Sequence, residues 1–202
     1  MSSFSYYTIE KPALGFYKEK GSKFHAFAFP VESEVEIKTN LDQLRKEYFD
    51  ARHHCYAWML GPDKMKFRAV DDGEPNHSAG DPILGQIRSR DITNVLVVVV
   101  RYFGGIKLGV GGLITAYKSS AKDALDHAVI IEKEIEETFS LSFNYTATPE
   151  VMRLIKEYHL KILDQRFSSE CEMDLSVMLK HKQMFKERIT LLNALGITLQ
   201  LK

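Results

Sequence analysis

Apolar residues in this chain switch repeatedly between two periods, and the switches divide it into short strands and helices. Residues 23–29 (KFHAFAF) read as a strand. Between 34 and 49, Ile37, Leu41, Leu44 and Tyr48 recur at three- and four-residue intervals, which places them on one face of a helix. His54 to Leu60 is apolar on both sides and predicts an interior strand. Residues 61–94 break the pattern, because Pro62, Pro75 and Pro82 together with Gly61, Gly73, Gly80 and Gly85 predict loops and short strands. Val95 to Phe103, opening with an uninterrupted aliphatic run after Asn94, is the clearest strand. Ile114, Tyr117, Ala121, Leu125 and Ala128 then predict a helix from about 113 to 128 with these residues buried.

The style changes near residues 131–137 (IEKEIEE). Phe139, Leu141, Phe143 and Tyr145 alternate with polar residues, as in a half-exposed antiparallel strand. Thr148-Pro149-Glu150 suits a helix start, with Thr as N-cap, Pro in the first turn and an acid beside the positive end of the helix dipole. Val151, Leu154, Ile155 and Tyr158 form the stripe that helix would bury. A strand around 161–168 follows, then a second alternation through Met173, Leu175, Val177 and Leu179. Phe185, Ile189, Leu192 and Leu195 mark another helix, Gly196 ends it, and Ile197 to Leu201 is a closing strand. The order β-α-β-β-α-β is the ferredoxin-like pattern. The chain is therefore expected to be an α+β protein of two domains, 1–133 and 134–202.

Composition narrows the class. The apolar content is 45% and the charged content 27%, values of an ordinary globular protein. No apolar run approaches the ~20 residues of a membrane span, and the first residues, MSSFSYYTIEK, show no signal-peptide core, so a cytoplasmic protein is expected. Cys55 and Cys171 lie far apart with no CxxC, which suggests no disulfide framework. The 27 basic residues balance 27 acidic ones, and the balance holds in each half. A general polynucleotide binder is excluded, so any nucleic-acid contact must use a local patch.

Two segments carry the candidate chemistry: RAVDDGEPNHSAGDPI (68–83) and VRYFGGIKLGVGG (100–112). The second follows the clearest strand and leads into the 113–128 helix. A strand, a glycine-rich loop and a helix in that order can aim backbone N–H groups at an anion. Arg101 and Lys107 add charge to Gly104, Gly105, Gly109, Gly111 and Gly112; alternatively, the glycines only permit a tight crossing against the sheet. Asp71, Asp72 and Glu74 could form a recognition loop, hold Mg²⁺ or supply a base, or could simply make a turn and pair with Arg68 or Arg101. His53, His77 and Ser78 are additional candidates. His53 and His54 point to opposite faces of a strand and cannot both reach one metal, while His53, Cys55 and His77 could. Tyr102, Phe103 and Tyr117 could stack on bases or fill the core, and Lys180, His181, Lys182, Lys186 and Arg188 form a modest basic stretch. The P-loop pattern is absent, no metal or cofactor is assigned, and no catalytic residue is named.

These motifs resemble the IMPACT family, whose bacterial members are often called YigZ proteins. The resemblance rests on Asp71-Asp72-Gly73-Glu74-Pro75, Ala79-Gly80, Pro82-Ile83-Leu84, the RYFGG string from Arg101, Lys107-Leu108-Gly109, Gly111-Gly112-Leu113 and Ala116-Tyr117, with His53 and Ala57-Trp58 upstream. It spans roughly residues 17–130. One departure is His77-Ser78, where the family usually has Gly-Thr. The resemblance implies an N-terminal domain similar to domain 2 of the ribosomal protein S-five type, an α/β sandwich, followed by the ferredoxin-like domain, as in the fourth and fifth domains of elongation factor G. Eukaryotic members of the family are linked to translational control. The expectation is a monomeric, non-enzymatic regulator that binds RNA, the ribosome or a translation-associated protein through the glycine-rich region. The alternatives are an enzyme acting on a phosphorylated small molecule or nucleotide, and a pure protein-interaction module.

Overall fold

The computed structural model describes residues 4–168 and 170–202. The chain divides into two units: Tyr6–Lys133, and Glu134–Lys202 with the described residues up to Ser5.

In the first unit, β1 (Ser5–Ile9) is followed by β2 (Ala13–Glu19), β3 (Ser22–Pro30), α1 (Glu34–Glu47), β4 (His53–Leu60), β5 (Lys66–Val70), α2 (Gly80–Ser89), β6 (Val95–Tyr102), α3 (Gly109–Asp126) and β7 (Ile130–Glu134). β1 pairs with β7, while the other strands form an antiparallel sheet ordered β2-β3-β6-β4-β5. β6 is central and covered on both faces, which explains its unbroken aliphatic run. Val95, Val97 and Val99 pack with Cys55, Ala57, Phe24 and the helices α2 and α3. Leu96, Val98 and Val100 pack with Tyr56, Trp58 and the α1 residues Ile37, Leu41 and Leu44 on the other face.

Residues 80–89 are helical, although Gly80, Pro82 and Gly85 predict loops and short strands there. Pro82 lies in the first turn, where its missing N–H would have no intrahelical acceptor anyway. Ile83, Leu84 and Ile87 supply the buried stripe. The next helix, α3, starts at Gly109 rather than 113, so three of the candidate loop glycines belong to its first turn. Leu113 takes the buried position expected of Ile114, which is exposed.

The second unit runs β8 (Glu136–Phe143), α4 (Thr148–Glu157), β9 (Lys161–Phe167), β10 (Cys171–Met178), α5 (Lys182–Ala194) and β11 (Leu199–Leu201). Its antiparallel sheet is ordered β11-β8-β10-β9, the ferredoxin-like arrangement. Phe139, Leu141, Phe143, Met173, Leu175 and Val177 meet Val151, Leu154, Phe185 and Ile189 from the two helices. Tyr145 is exposed on a single 3₁₀ turn rather than extending β8, and Leu195 at the end of α5 is exposed as well. The positive φ of Gly196 ends α5 as expected. No helix of the described residues is long and apolar enough to cross a membrane.

Candidate functional site

The two motifs meet in the first unit where β4 starts, β6 ends and α3 begins. Here the chain leaves a cleft of about 810 Å³, with Arg52, His53, Glu74 and Arg101 on one side and Lys107, Val110 and Leu113 on the other.

The acidic loop is mostly committed to holding itself together. Asp71 Oδ1 accepts from the backbone N–H of Ala79 at 2.9 Å and Gly80 at 2.8 Å, and its Oδ2 accepts from His77 N–H at 2.8 Å. Since no local side chain caps α2, Asp71 caps it from the preceding loop. Burial alone would raise its pKa, but the N–H donors of Gly80, His77 and Ala79, with the nearby His77 ring, outweigh that and hold the carboxyl below its ordinary range. Asp72 sits at φ 43°, where its Oδ2 accepts from His54 N–H at 2.7 Å. Asp72 O lies 2.8 Å from His53 Nδ1; a carbonyl can only accept, so the proton of a neutral His53 ring is on Nδ1 and Nε2 keeps its lone pair.

Glu74 is the member of the loop that crosses to the second motif. Its Oε1 accepts from Arg101 Nη1 at 2.5 Å and from Tyr117 Oη at 2.8 Å, and all three side chains are buried. Arg101 also lies near the rings of Phe24 and Phe103, at 5.5 Å and 5.7 Å, and its Nε is buried with no hydrogen-bond partner among the described residues. Cys55 Sγ is 2.9 Å from Asp71 O and 3.3 Å from Tyr117 Oη. Burial pushes both the Cys55 thiol and the Tyr117 phenol well up, so neither ionises near neutral pH. Tyr117, fully buried, cannot offer its ring to a base, although Phe103 can.

The glycines divide by cause. A Cβ on Gly104 would come within 1.9 Å of Gly21 C and 2.0 Å of Ser22 N, so this glycine serves a crossing of two backbone segments. Gly105 (φ 89°) and Gly109 (φ 71°) turn the chain into α3 and face open space. Gly111 also faces open space, while a Cβ on Gly112 would press on Leu108. No side chain caps α3 and no acid occupies its first turn, so the start of the helix stands open beside the cleft. Lys107 is exposed there.

The remaining candidates lie elsewhere or are already engaged. His77 adopts φ 63°, and its exposed ring contacts Asp81 at 2.6 Å. Ser78 is buried and donates to Pro75 O at 2.6 Å. With Cys55 turned to Asp71 O and His77 to Asp81, His53, Cys55 and His77 do not converge, and no cluster of three potential metal ligands occurs among the described residues. In the second unit, Lys180 and Lys182 of the basic stretch pair with Glu134 and Glu137. Sequence reasoning missed Arg52 and the pairing of Tyr102 Oη with Asp50 at 2.7 Å, which lifts the Tyr102 pKa to about 12. An isolated Asp-Ala-Arg triplet between helix and strand gives no sequence signal for either.

Comparison with known proteins agrees with this architecture. Residues 20–125 match the Impact N-terminal domain. IMPACT family member YvyE of Bacillus subtilis is 31% identical over 186 residues, covering 92% of this chain and 86% of that protein. Protein IMPACT of Homo sapiens is 35% identical over 96 residues, which is 45% of this chain and 29% of that one. A crystal structure of a hypothetical protein superposes with a TM-score of 0.81 at 28% identity, covering 99% of this chain and 97% of the other. The motif-bearing unit and most of the remaining chain thus share both sequence and fold with one group of proteins: the chain belongs to the IMPACT family.

Proposed function

We propose that the chain is a non-enzymatic regulator linked to translation, working in the cytoplasm by binding RNA, the ribosome or a translation-associated protein at the cleft beside α3. The observation that carries this reading is the division of labour among the charges. Arg101 and Glu74 neutralise each other in the interior, while Lys107, Arg52 and the uncapped start of α3 remain at the cleft for an incoming anionic group. The acidic loop has little left for catalysis, because Asp71 caps α2 and Asp72 holds the start of β4. The link to translation draws on the family, whose eukaryotic members the motif resemblance associates with translational control.

The test is titration of ribosomes and of a structured RNA with wild-type protein and Arg52→Ala/Lys107→Ala, at several salt concentrations. Both side chains reach the cleft without being part of the core, so the variant keeps its fold. Weaker binding with a shallower salt dependence, by about one in slope for each phosphate contact removed, supports the site. Unchanged binding refutes it.

A second reading, an enzyme acting on a phosphorylated small molecule, is favoured by the size of the cleft, which is within the range of small-molecule sites. Thermal stabilisation by one member of a nucleotide and sugar-phosphate panel, without ribosome or RNA binding, would select it.

A further inference from the structure

Beside the cleft the fold leaves a run of large apolar side chains uncovered. Phe103 is 58% exposed, Ile106 56%, Val110 52% and Ile114 37%. Phe103 and Val110 form part of the cleft wall, and Ile106 lies on the loop between them. Val110 and Ile114 are one helical turn apart on α3 and share a face, while Leu113 and Tyr117 take the buried side. At Gly105, Gly109 and Gly111 an added Cβ would meet nothing, so another backbone could approach this surface closely.

The charge around the stripe is one-sided. From Arg101 to Lys122 the chain contains four cationic residues and no carboxylate. Arg101 and Lys122 are paired with Glu74 and Asp126. Lys107 and Lys118 are exposed and have no ion-pair partner among the described residues. An apolar strip bordered by two uncompensated ammonium groups is built like a protein interface, with an apolar centre and a charged rim. It is poorly built for RNA: three of the four apolar side chains are aliphatic and cannot stack on bases, and Lys107 and Lys118, even with Arg52 of the adjoining cleft, neutralise few phosphates.

We propose that this stripe docks a short acidic amphipathic segment of a protein partner. Its apolar residues would lie on Phe103, Ile106, Val110 and Ile114, and its carboxylates would reach Lys107 and Lys118. The inference rests on the reading that this end of α3 is the chain's binding surface, and it chooses protein over RNA as the occupant.

The experiment places a benzophenone photo-cross-linking amino acid at Ile106 or Ile114 of the full chain in its own cell, with Val35 as the control. Val35 is exposed on α1, across the sheet from α3. The adducts are mapped by mass spectrometry to the partner's sequence. Short-wavelength ultraviolet irradiation of the same cells detects RNA adducts in parallel. The expected result is one protein segment, carrying both carboxylates and apolar residues, captured from Ile106 and Ile114 but not from Val35. Lys107→Glu or Lys118→Glu should lower that yield about tenfold by setting like charges against each other. An RNA adduct without a protein adduct would overturn the inference and leave the binding surface standing. So would a captured segment that is basic or uncharged, or a yield indifferent to the Lys substitutions. Absence of both adducts, with ribosome and RNA binding unaffected by Arg52→Ala/Lys107→Ala, would overturn the inference and the reading beneath it together.

Discussion

At the scale of single residues, the two cations of the RYFGG and KLG motifs have opposite physical roles. Arg101 is a buried ion-pair partner, so Arg101→Ala would strand Glu74 as an unpaired charge in the interior; it is expected to cost about 3–5 kcal/mol in urea unfolding. Joint replacement by Arg101→Met and Glu74→Leu should recover most of that loss, because the isolated charge disappears with its partner. Lys107 is solvated, and Lys107→Ala should change stability by no more than about 0.5 kcal/mol while altering binding. Asp71 adds a pH signature. Its pKa is lower in the folded chain than in the unfolded one, so its contribution is complete above the ordinary Asp value of about 4 and fades as pH falls through the lower folded value. Asp71→Ala should therefore cost about 1–2 kcal/mol at neutral pH, typical of a lost helix cap, and the gap to wild type should close in acid. Thermal unfolding between pH 3 and 7 measures both. The sequence leaves open whether the carboxylates of 71–74 pair with Arg68, with Arg101 or with neither. That choice depends on β4 and β6 pairing His53 with Arg101, which brings residues far apart in the chain side by side.

At the scale of elements, the start of α3 is a place where neighbouring glycines should respond with opposite signs. Gly109 sits at φ 71°, where a side chain is strained, so Gly109→Ala should destabilise by about 1–2 kcal/mol. Gly111 is helical with open space around it, so Gly111→Ala should stabilise by about 0.5–1 kcal/mol. Chemical denaturation of the two variants side by side decides the point. If both stabilise, Gly109 does not hold the positive φ that opens α3. The apolar spacing misplaced the start because glycines carry no apolar signal, and it opened the buried stripe at Ile114, although Leu113 is the residue that is buried. Helix α2 was hidden for a related reason: Gly80 and Pro82 punctuate its first turn, and its cap comes from Asp71 rather than from a residue next to the helix.

At the scale of the whole molecule, the two units have separate apolar cores. Leu175→Ala, in the ferredoxin-like core, should lower the stability of that unit by about 2–5 kcal/mol. It should leave the unfolding of the cleft-bearing unit in place, so calorimetry should resolve two transitions of which only one moves. A single transition that shifts as a block would show that the units unfold together. Hydrophobic periodicity by itself determined the βαββαβ order, the strand at 95–103 and the change of style near residues 131–137, because strands and helices bury faces with fixed repeats, while the two candidate segments were legible from their glycines and charges. Tertiary structure alone decided that Arg101 turns inward to Glu74, that Gly104 serves a backbone crossing, and that Phe103, Ile106, Val110 and Ile114 remain outside. The reason is physical: a period tells which residues share a face, whereas only the packing of distant segments tells whether that face is covered.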